Sequence, residues 1–194
     1  MKQMDKNSIL NFFDSCAETW DAEMIKSDEI INLILDKSEV KKDTRVLDIA
    51  CGTGVLFDYY LSRGAKVTGM DLSPEMVKIC KSKFPEIPVI CADADTYPFR
   101  EKFDVCIIYN AFPHFPDPEL TVSNLITAIK ENGRLTIAHG MSRERINAHH
   151  QGKASPYSRP LPEINELNKL LSANFQVDTL VSDNEKYIIS GKLK

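Results

Sequence analysis

No stretch of this 194-residue chain approaches the roughly 20 consecutive apolar residues needed to span a bilayer, so a membrane-embedded protein is not expected. The first twenty residues, MKQMDKNSILNFFDSCAETW, carry charges throughout and lack the apolar core of a secretory leader. Cysteine is scarce and unpaired in pattern: Cys16, Cys51, Cys80, Cys91 and Cys106 are odd in number and form no CxxC pair. That usage excludes a disulfide framework and a zinc-finger site, and fits reduced thiols in a cytoplasmic protein. Glycine (8) and proline (10) never cluster into a linker, and no repeat is visible, so one domain over residues 1–194 is expected. Positive charge is also short. With 24 Lys and Arg against 28 Asp and Glu the net charge is -4, which disfavours a general nucleic-acid binder.

What is present is an alternation of helical and extended patterns. EMIKSDEIINLILDK sets Ile30, Ile31, Ile34 and Leu35 on one helical face, and RVLDIA reads as a short buried strand. VLFDYYLSRG reads as a helix stopped by Gly64, and KVTGMD as a second strand. In SPEMVKICKSKF, Ser73 caps a helix that has Pro74 at its first position. IPVICAD, FDVCIIYN and GRLTIAHG supply strands three to five, and LTVSNLITAIKENG reads as a helix running to Gly133. PEINELNKLLSAN is a further helix, followed by two closing strands, FQVDTLVS and KYIISGKLK. Such alternation implies a mostly parallel sheet covered on both faces, with ligands beyond the C-terminal strand ends.

The chemistry concentrates at those ends. VLDIACGTG (46–54) joins a strand to four small residues, as a close-approaching ligand requires. A phosphate-binding P-loop would need Lys-Ser or Lys-Thr after the glycines, and none follows. A dinucleotide fingerprint fits Gly52 and Gly54 but meets Phe57 in place of its third glycine. S-adenosylmethionine (SAM) has no phosphate but carries an ammonium and a sulfonium, which suit the carboxylate of Asp48. Asp71 ends the second strand, 17 residues after Gly54, where an acid can accept from both ribose hydroxyls. Asp93 follows the third strand, placed to accept from an adenine amino group.

VLDIACGTG (46–54), GMDLSPEMV (69–77), CADADTYPF (91–99), FDVCIIYNAFPHFPDP (103–118) and ENGRLTIAHG (131–140) stand in the order and spacing of one family. The chain resembles a class I SAM-dependent methyltransferase of the small-molecule, type 11-like kind. NFFDSCAETWD near the start is similar to that family's helix over the cofactor. The resemblance implies an α/β fold, a Rossmann-like three-layer α/β/α sandwich whose seven-stranded, mostly parallel sheet has an antiparallel last strand. It implies the methionine moiety against Asp48 and the loop Ala50, Cys51, Gly52, Thr53 and Gly54, with Ala50 replacing the first glycine of the commonest pattern. It implies ribose at Asp71, adenine at Asp93 and Ala94 with Leu72 and Met76 packing on the rings, and Asn110 and Ala111 near the sulfonium. The product would be S-adenosylhomocysteine (SAH).

All four histidines lie after the fourth and fifth strands. His114 matches a position where the family often has histidine near the methyl group, and His139 ends strand five; both are catalytic candidates. SRERINAHH reads as a short helix capped by Ser142, within a segment, 141–160, holding four Lys or Arg and one Glu. A lid over the substrate is expected there, with Arg143, Arg145, His149 and His150 on the acceptor side of the site. Three imidazoles can in principle hold zinc or iron. Adjacent histidines diverge on a helix and no acid partner is evident, so no metal is assigned. The strand-four motif Asn110-Ala111-Phe112-Pro113 differs from the Asn-Pro-Pro-Tyr-like motif of base methylation, and little chain remains for protein docking. A small-molecule acceptor, anionic or aromatic, is expected, in a monomer or homodimer. A non-catalytic SAM-binding module and a nicotinamide oxidoreductase remain as alternatives.

Overall fold

The structure, a computed structural model, describes residues 4–152 and 154–194. Lys153, inside the expected lid, lies outside them.

The helices are α1 (Lys6–Cys16), α2 (Trp20–Glu23), α3 (Asp28–Lys37), α4 (Phe57–Ser62), α5 (Pro74–Lys83), α6 (Pro118–Ile126), α7 (Arg143–His149) and α8 (Ile164–Ser172). The strands are β1 (Arg45–Ile49), β2 (Lys66–Asp71), β3 (Val89–Cys91), β4 (Phe103–Tyr109), β5 (Ile129–His139), β6 (Phe175–Ser182) and β7 (Tyr187–Leu193). They form one seven-stranded sheet in the order β3-β2-β1-β4-β5-β7-β6. Pairing is parallel from β3 to β5, and β7 runs antiparallel to both β5 and β6. The expected antiparallel last strand is therefore present, inserted before β6 at the sheet's edge.

Helix starts follow local capping chemistry. Ser27, Ser73, Asp117 and Ser142 each accept a backbone N–H from three residues ahead, and Pro74 and Pro118 sit where the missing donor costs nothing. Strands β1 and β4 are buried nearly throughout, as a sheet covered on both faces demands. One core packs α3, α4 and α5 on one face through Ile31, Ile34, Phe57, Tyr60 and Val77. The other packs α6, α7 and α8 through Val122, Leu125, Ile146, Leu167 and Leu171. The result is the three-layer α/β/α sandwich.

One element differs from the sequence pattern. The helix expected to reach Gly133 ends at Ile126, and β5 begins at Ile129. Thr127 closes the helix, its hydroxyl donating to the Asn124 carbonyl at 2.7 Å. Ile129 then pairs with Phe103, while a bulge before Arg134 absorbs the next residues. Asn132 adopts a left-handed φ of 58° there, and Lys130 bridges Asp104 at 2.7 Å. Cross-strand pairing outcompetes helical periodicity.

Candidate functional site

Strands β1 and β4 point the same way and lie side by side, while their crossovers run to opposite faces of the sheet. This divergence opens a crevice at their C-terminal ends. The backbone just beyond them turns sharply. Ala50 after β1 and Asn110 after β4 both adopt left-handed conformations, φ 55° and 54°, rare for residues with a side chain. A glycine would be unstrained at position 50, and alanine there costs about 1 kcal/mol. Asn110 is held by its side chain, whose Oδ1 accepts the Gly140 N–H at 2.9 Å. Such strain is typically concentrated at ligand sites. Within the loop, Gly54 has φ 84°, and a Cβ there would lie 2.9 Å from Cys80 Sγ and 3.0 Å from the Phe84 ring. Gly54→Ala is accordingly expected to lose roughly 1–3 kcal/mol of stability, measurable by urea unfolding.

The loop and strand ends border a cleft open to solvent, about 950 Å³ of empty space with its mouth included. Of the sequence-predicted residues, Ala50, Cys51, Gly52, Asp71, Leu72, Met76, Asp93, Ala94, Asn110, Ala111 and His114 line it. Asp71 sits at its floor, Oδ2 accepting Gly52 N–H at 2.8 Å and Oδ1 accepting Ser73 N–H at 2.9 Å. Burial pushes its carboxyl above the ordinary range, against the pull of those N–H groups. Each oxygen keeps lone-pair capacity for a ligand hydroxyl.

Asp48, Thr53 and Gly54 do not line the cleft. Asp48 points to the α4–α5 side of β1, where burial beside Cys80 and Asp71 holds its carboxyl well above the usual range. Its Oδ2 and the Tyr60 hydroxyl are buried without a well-formed hydrogen bond. Thr53 instead donates its hydroxyl to Asp21, tying α2 to the loop.

Phe13 and Trp20, within NFFDSCAETWD, line the cleft as that stretch implies, whereas Lys6, Ile9 and Leu10 carry no such motif. Lys6, Ile9, Leu10 and Phe13, one face of α1, lie across the cleft together with Trp20. Lys6 Nζ reaches Asp93 at 2.6 Å and Asp95 at 2.7 Å. The Trp20 Nε1 is 3.6 Å from where a Gly52 Cβ would stand. The spacing at 6, 9, 10 and 13 is the helical signal that could have found Lys6, Ile9 and Leu10.

The histidines separate sharply. His114 lines the cleft, and its Nδ1 lies 2.8 Å from the Tyr157 carbonyl. A carbonyl only accepts, so Nδ1 carries the proton and Nε2 keeps its lone pair. Burial lowers the His114 pKa below 6.5 and keeps the ring neutral. His139 does not line the cleft. It is fully buried between Tyr187 and the α7 side of the sheet, with neither nitrogen paired, and burial depresses its pKa to about 3. Just past the end of α7, His150 turns inward with its ring 4.9 Å from that of His114, while Arg145 and His149 on the helix are exposed. Arg143 is already engaged, Nε donating to the Leu161 carbonyl at 3.0 Å and a terminal nitrogen 3.0 Å from Glu163. Among the described residues, no group of three or more His, Cys, Asp or Glu stands as a metal cage.

The residues present fit SAM. A desolvated acid on the cleft floor retains acceptor capacity, small residues and left-handed backbone bring β1 and β4 close to a ligand, and no phosphate-binding lysine is offered. A methyltransferase domain is matched over residues 47–137. The malonyl-[acyl-carrier protein] O-methyltransferase of Acetivibrio thermocellus is 28% identical over 141 residues, 70% of this chain and 50% of that protein. The ubiquinone biosynthesis O-methyltransferase of Coxiella burnetii is 26% identical over 150 residues, covering 69% of this chain and 62% of its own length. The chain thus spans about half the length of the curated relatives it matches. Among solved folds, a Haloferax volcanii methyltransferase in complex with its Trm112 activator superposes with TM-score 0.81, at 17% identity over 95% of this chain and 97% of that one. Magnesium protoporphyrin IX methyltransferase from Synechocystis PCC 6803, solved with SAH bound, gives 0.74 at 16% identity over 98% and 100%. Its strand order, its motif block and this domain match make the chain similar, over residues 47–137, to the class I SAM-dependent methyltransferases.

Proposed function

We propose that this protein transfers the methyl group of SAM to a small-molecule acceptor by in-line displacement, releasing SAH. The observation that carries the reading is a single cleft lined at once by Asp71, Asp93, Asn110 and His114, which come from the C-terminal ends of β2, β3 and β4. When bound, SAM supplies a methyl group activated by a positively charged sulfur. Asp71 would hold both ribose hydroxyls, and Asp93 with Ala94 would meet adenine, with Leu72 and Met76 packing on the rings. Ala50, Cys51 and Gly52 would border the methionine moiety, with Asp48, Thr53 and Gly54 shaping that loop from behind. Asn110 and Ala111 would flank the reacting carbon. Helix α1, through Phe13, would shut water out, and alignment of donor with acceptor would supply most of the rate.

The relative named for ubiquinone biosynthesis supports a small acceptor, and the one named for malonyl-[acyl-carrier protein] a small acyl group on a carrier. An aromatic acceptor is favoured over an anionic one. Arg143 is engaged by Glu163, Arg145 and His149 face outward, and His150, capping that helix, turns toward His114. His139 would act through packing behind the wall rather than by contact. No described helix is long and apolar enough to cross a membrane, and the five cysteines are free, which supports a cytoplasmic setting.

SAM and SAH should each raise the melting temperature, by about 2.7 kcal/mol of added stability at one hundred times Kd, while NAD should not. An unchanged midpoint at millimolar SAM would sink the proposal. Binding without methylation of any offered compound would favour a non-catalytic SAM-binding module.

A further inference from the structure

The geometry points to the acceptor's class: an uncharged aromatic hydroxyl compound, whose proton passes to Nε2 of His114 as its oxygen takes the methyl group. This inference rests on the methyltransferase reading above and narrows it.

The charges around the cleft decide it. Among the described residues lining it, Lys6 is the one lysine or arginine, and both Asp93 and Asp95 hold it at the adenine end. Arg159 lies near the same wall, but its guanidinium donates to the Pro116 carbonyl at 3.1 Å and its N–H to the Pro113 carbonyl at 2.8 Å. It fastens the chain after β4 rather than facing a ligand. A carboxylate or phosphate seated beside His114 would thus lose water without gaining a protein cation to hold it, the sulfonium of SAM being its one opposite charge. The lining acids are Asp71, Asp93 and Asp95, all at the ends of β2 and β3 and all already engaged. An ammonium at the acceptor end meets no carboxylate either.

A neutral acceptor remains, and the walls around it are rings and aliphatic groups: Phe13, His114, Phe115 and Pro116. Phe13 meets His114 edge-to-face at 4.8 Å, so the two rings form one continuous aromatic wall against which a flat compound can pack. A neutral hydroxyl must shed its proton during transfer, and the fixed tautomer of His114 leaves Nε2 free to take it. Brønsted matching selects the hydroxyl. An imidazole can assist a phenol of pKa ~10, like that of tyrosine, far better than an aliphatic alcohol nearer that of water, ~16.

The step balances. The acceptor O–H gives its proton to Nε2, the oxygen lone pair forms the O–CH3 bond, and the pair of the broken carbon–sulfur bond stays on sulfur as neutral SAH. The imidazolium then releases its proton to water. Its stay is brief, because burial, and to a lesser extent the exposed His149, disfavours its charge, while nearby His139 and His150 are themselves kept neutral by burial.

The test offers methyl-labelled SAM with 2-naphthol, catechol and other hydroxyarenes, and with benzoate, phenyl phosphate and benzylamine, to the wild type and His114→Asn. Asparagine can keep the hydrogen bond to the Tyr157 carbonyl but has no basic nitrogen. Methyl ethers should form from hydroxyarenes alone. The wild-type rate should rise as His114 deprotonates and level off by about pH 6.5, since a base works only in its neutral form and this one's pKa lies below the usual value. The variant should lose 10²–10⁴-fold in kcat and climb with pH toward the acceptor's own pKa, with its SAH-induced melting shift intact. A merely structural role would lower the rate without reshaping the profile. Methylation of the carboxylate, phosphate or amine, no turnover of any hydroxyarene by protein that binds SAH, or an unchanged profile in the variant would overturn the inference. Failure to bind SAH would overturn the methyltransferase proposal itself.

Discussion

Asp71→Ala is expected to weaken SAH binding by 100-fold or more while leaving the protein folded. Two hydroxyls accepted by one carboxylate are charge-assisted bonds of about 1.5–3 kcal/mol each, so removing both costs about 3 kcal/mol at the low end. Part of the loss would come from the loop. Gly52 and Ser73 would each keep a backbone N–H with no carboxylate oxygen to receive it. Asp71→Asn sharpens the result, because both side-chain oxygens of the aspartate accept. The amide must turn its NH2 toward one of those two N–H donors, so asparagine should fail nearly as badly as alanine despite its equal size. Isothermal titration with SAH checks this, with far-ultraviolet circular dichroism of the unliganded variants as the folding control. Affinity within about threefold of wild type in both variants would remove the ribose role.

Asp71 was legible because its place is set by local order: strand, acid, Ser-Pro helix start. The same holds for Gly52 and Asn110, whose positions directly after strands β1 and β4 put them at the crevice. The sheet was legible for a related reason. Near-continuous apolar runs separated by capped helices leave few alternatives. Where the reading overran, at residues 127–133, the deciding partner was Phe103, about 26 positions away and on another strand. Lys6 escaped notice for a similar reason, since nothing near it in sequence announces that it meets Asp93, 87 positions later. Arg143 carried an attractive charge in an attractive place, but the Leu161 carbonyl and Glu163 claim it from the far side of the lid segment. Charge is visible in a sequence, and its partners are not.

His139 is the instructive case, because its fate was partly written in the strand's alternation. Leu135, Ile137 and His139 share one face of β5, and the first two are wholly buried in the core beneath α7 and α8. A histidine on that face inherits their surroundings, so both its nitrogens end up buried and unpaired and its pKa falls to about 3. In the unfolded chain the same ring titrates near 6.5. Between those two values the unfolded state binds a proton that the folded state refuses. Stability from this residue is therefore complete above about pH 6.5 and drains away as pH falls toward 3, by up to about 5 kcal/mol. His150, depressed to about 4, adds a smaller part in the same direction. His139→Leu, close in volume and matched to its apolar neighbours, should remove the largest share. At pH 7 it should be as stable as the wild type or more so, since it deletes two unsatisfied polar atoms. Between pH 6.5 and 4 its unfolding free energy should decline clearly less steeply. Urea unfolding of both proteins across that range measures the slopes. Parallel pH dependences would mean that the His139 imidazole is hydrogen-bonded or hydrated in solution, whereas a flattened slope would fix it as a neutral member of the core behind the acceptor wall.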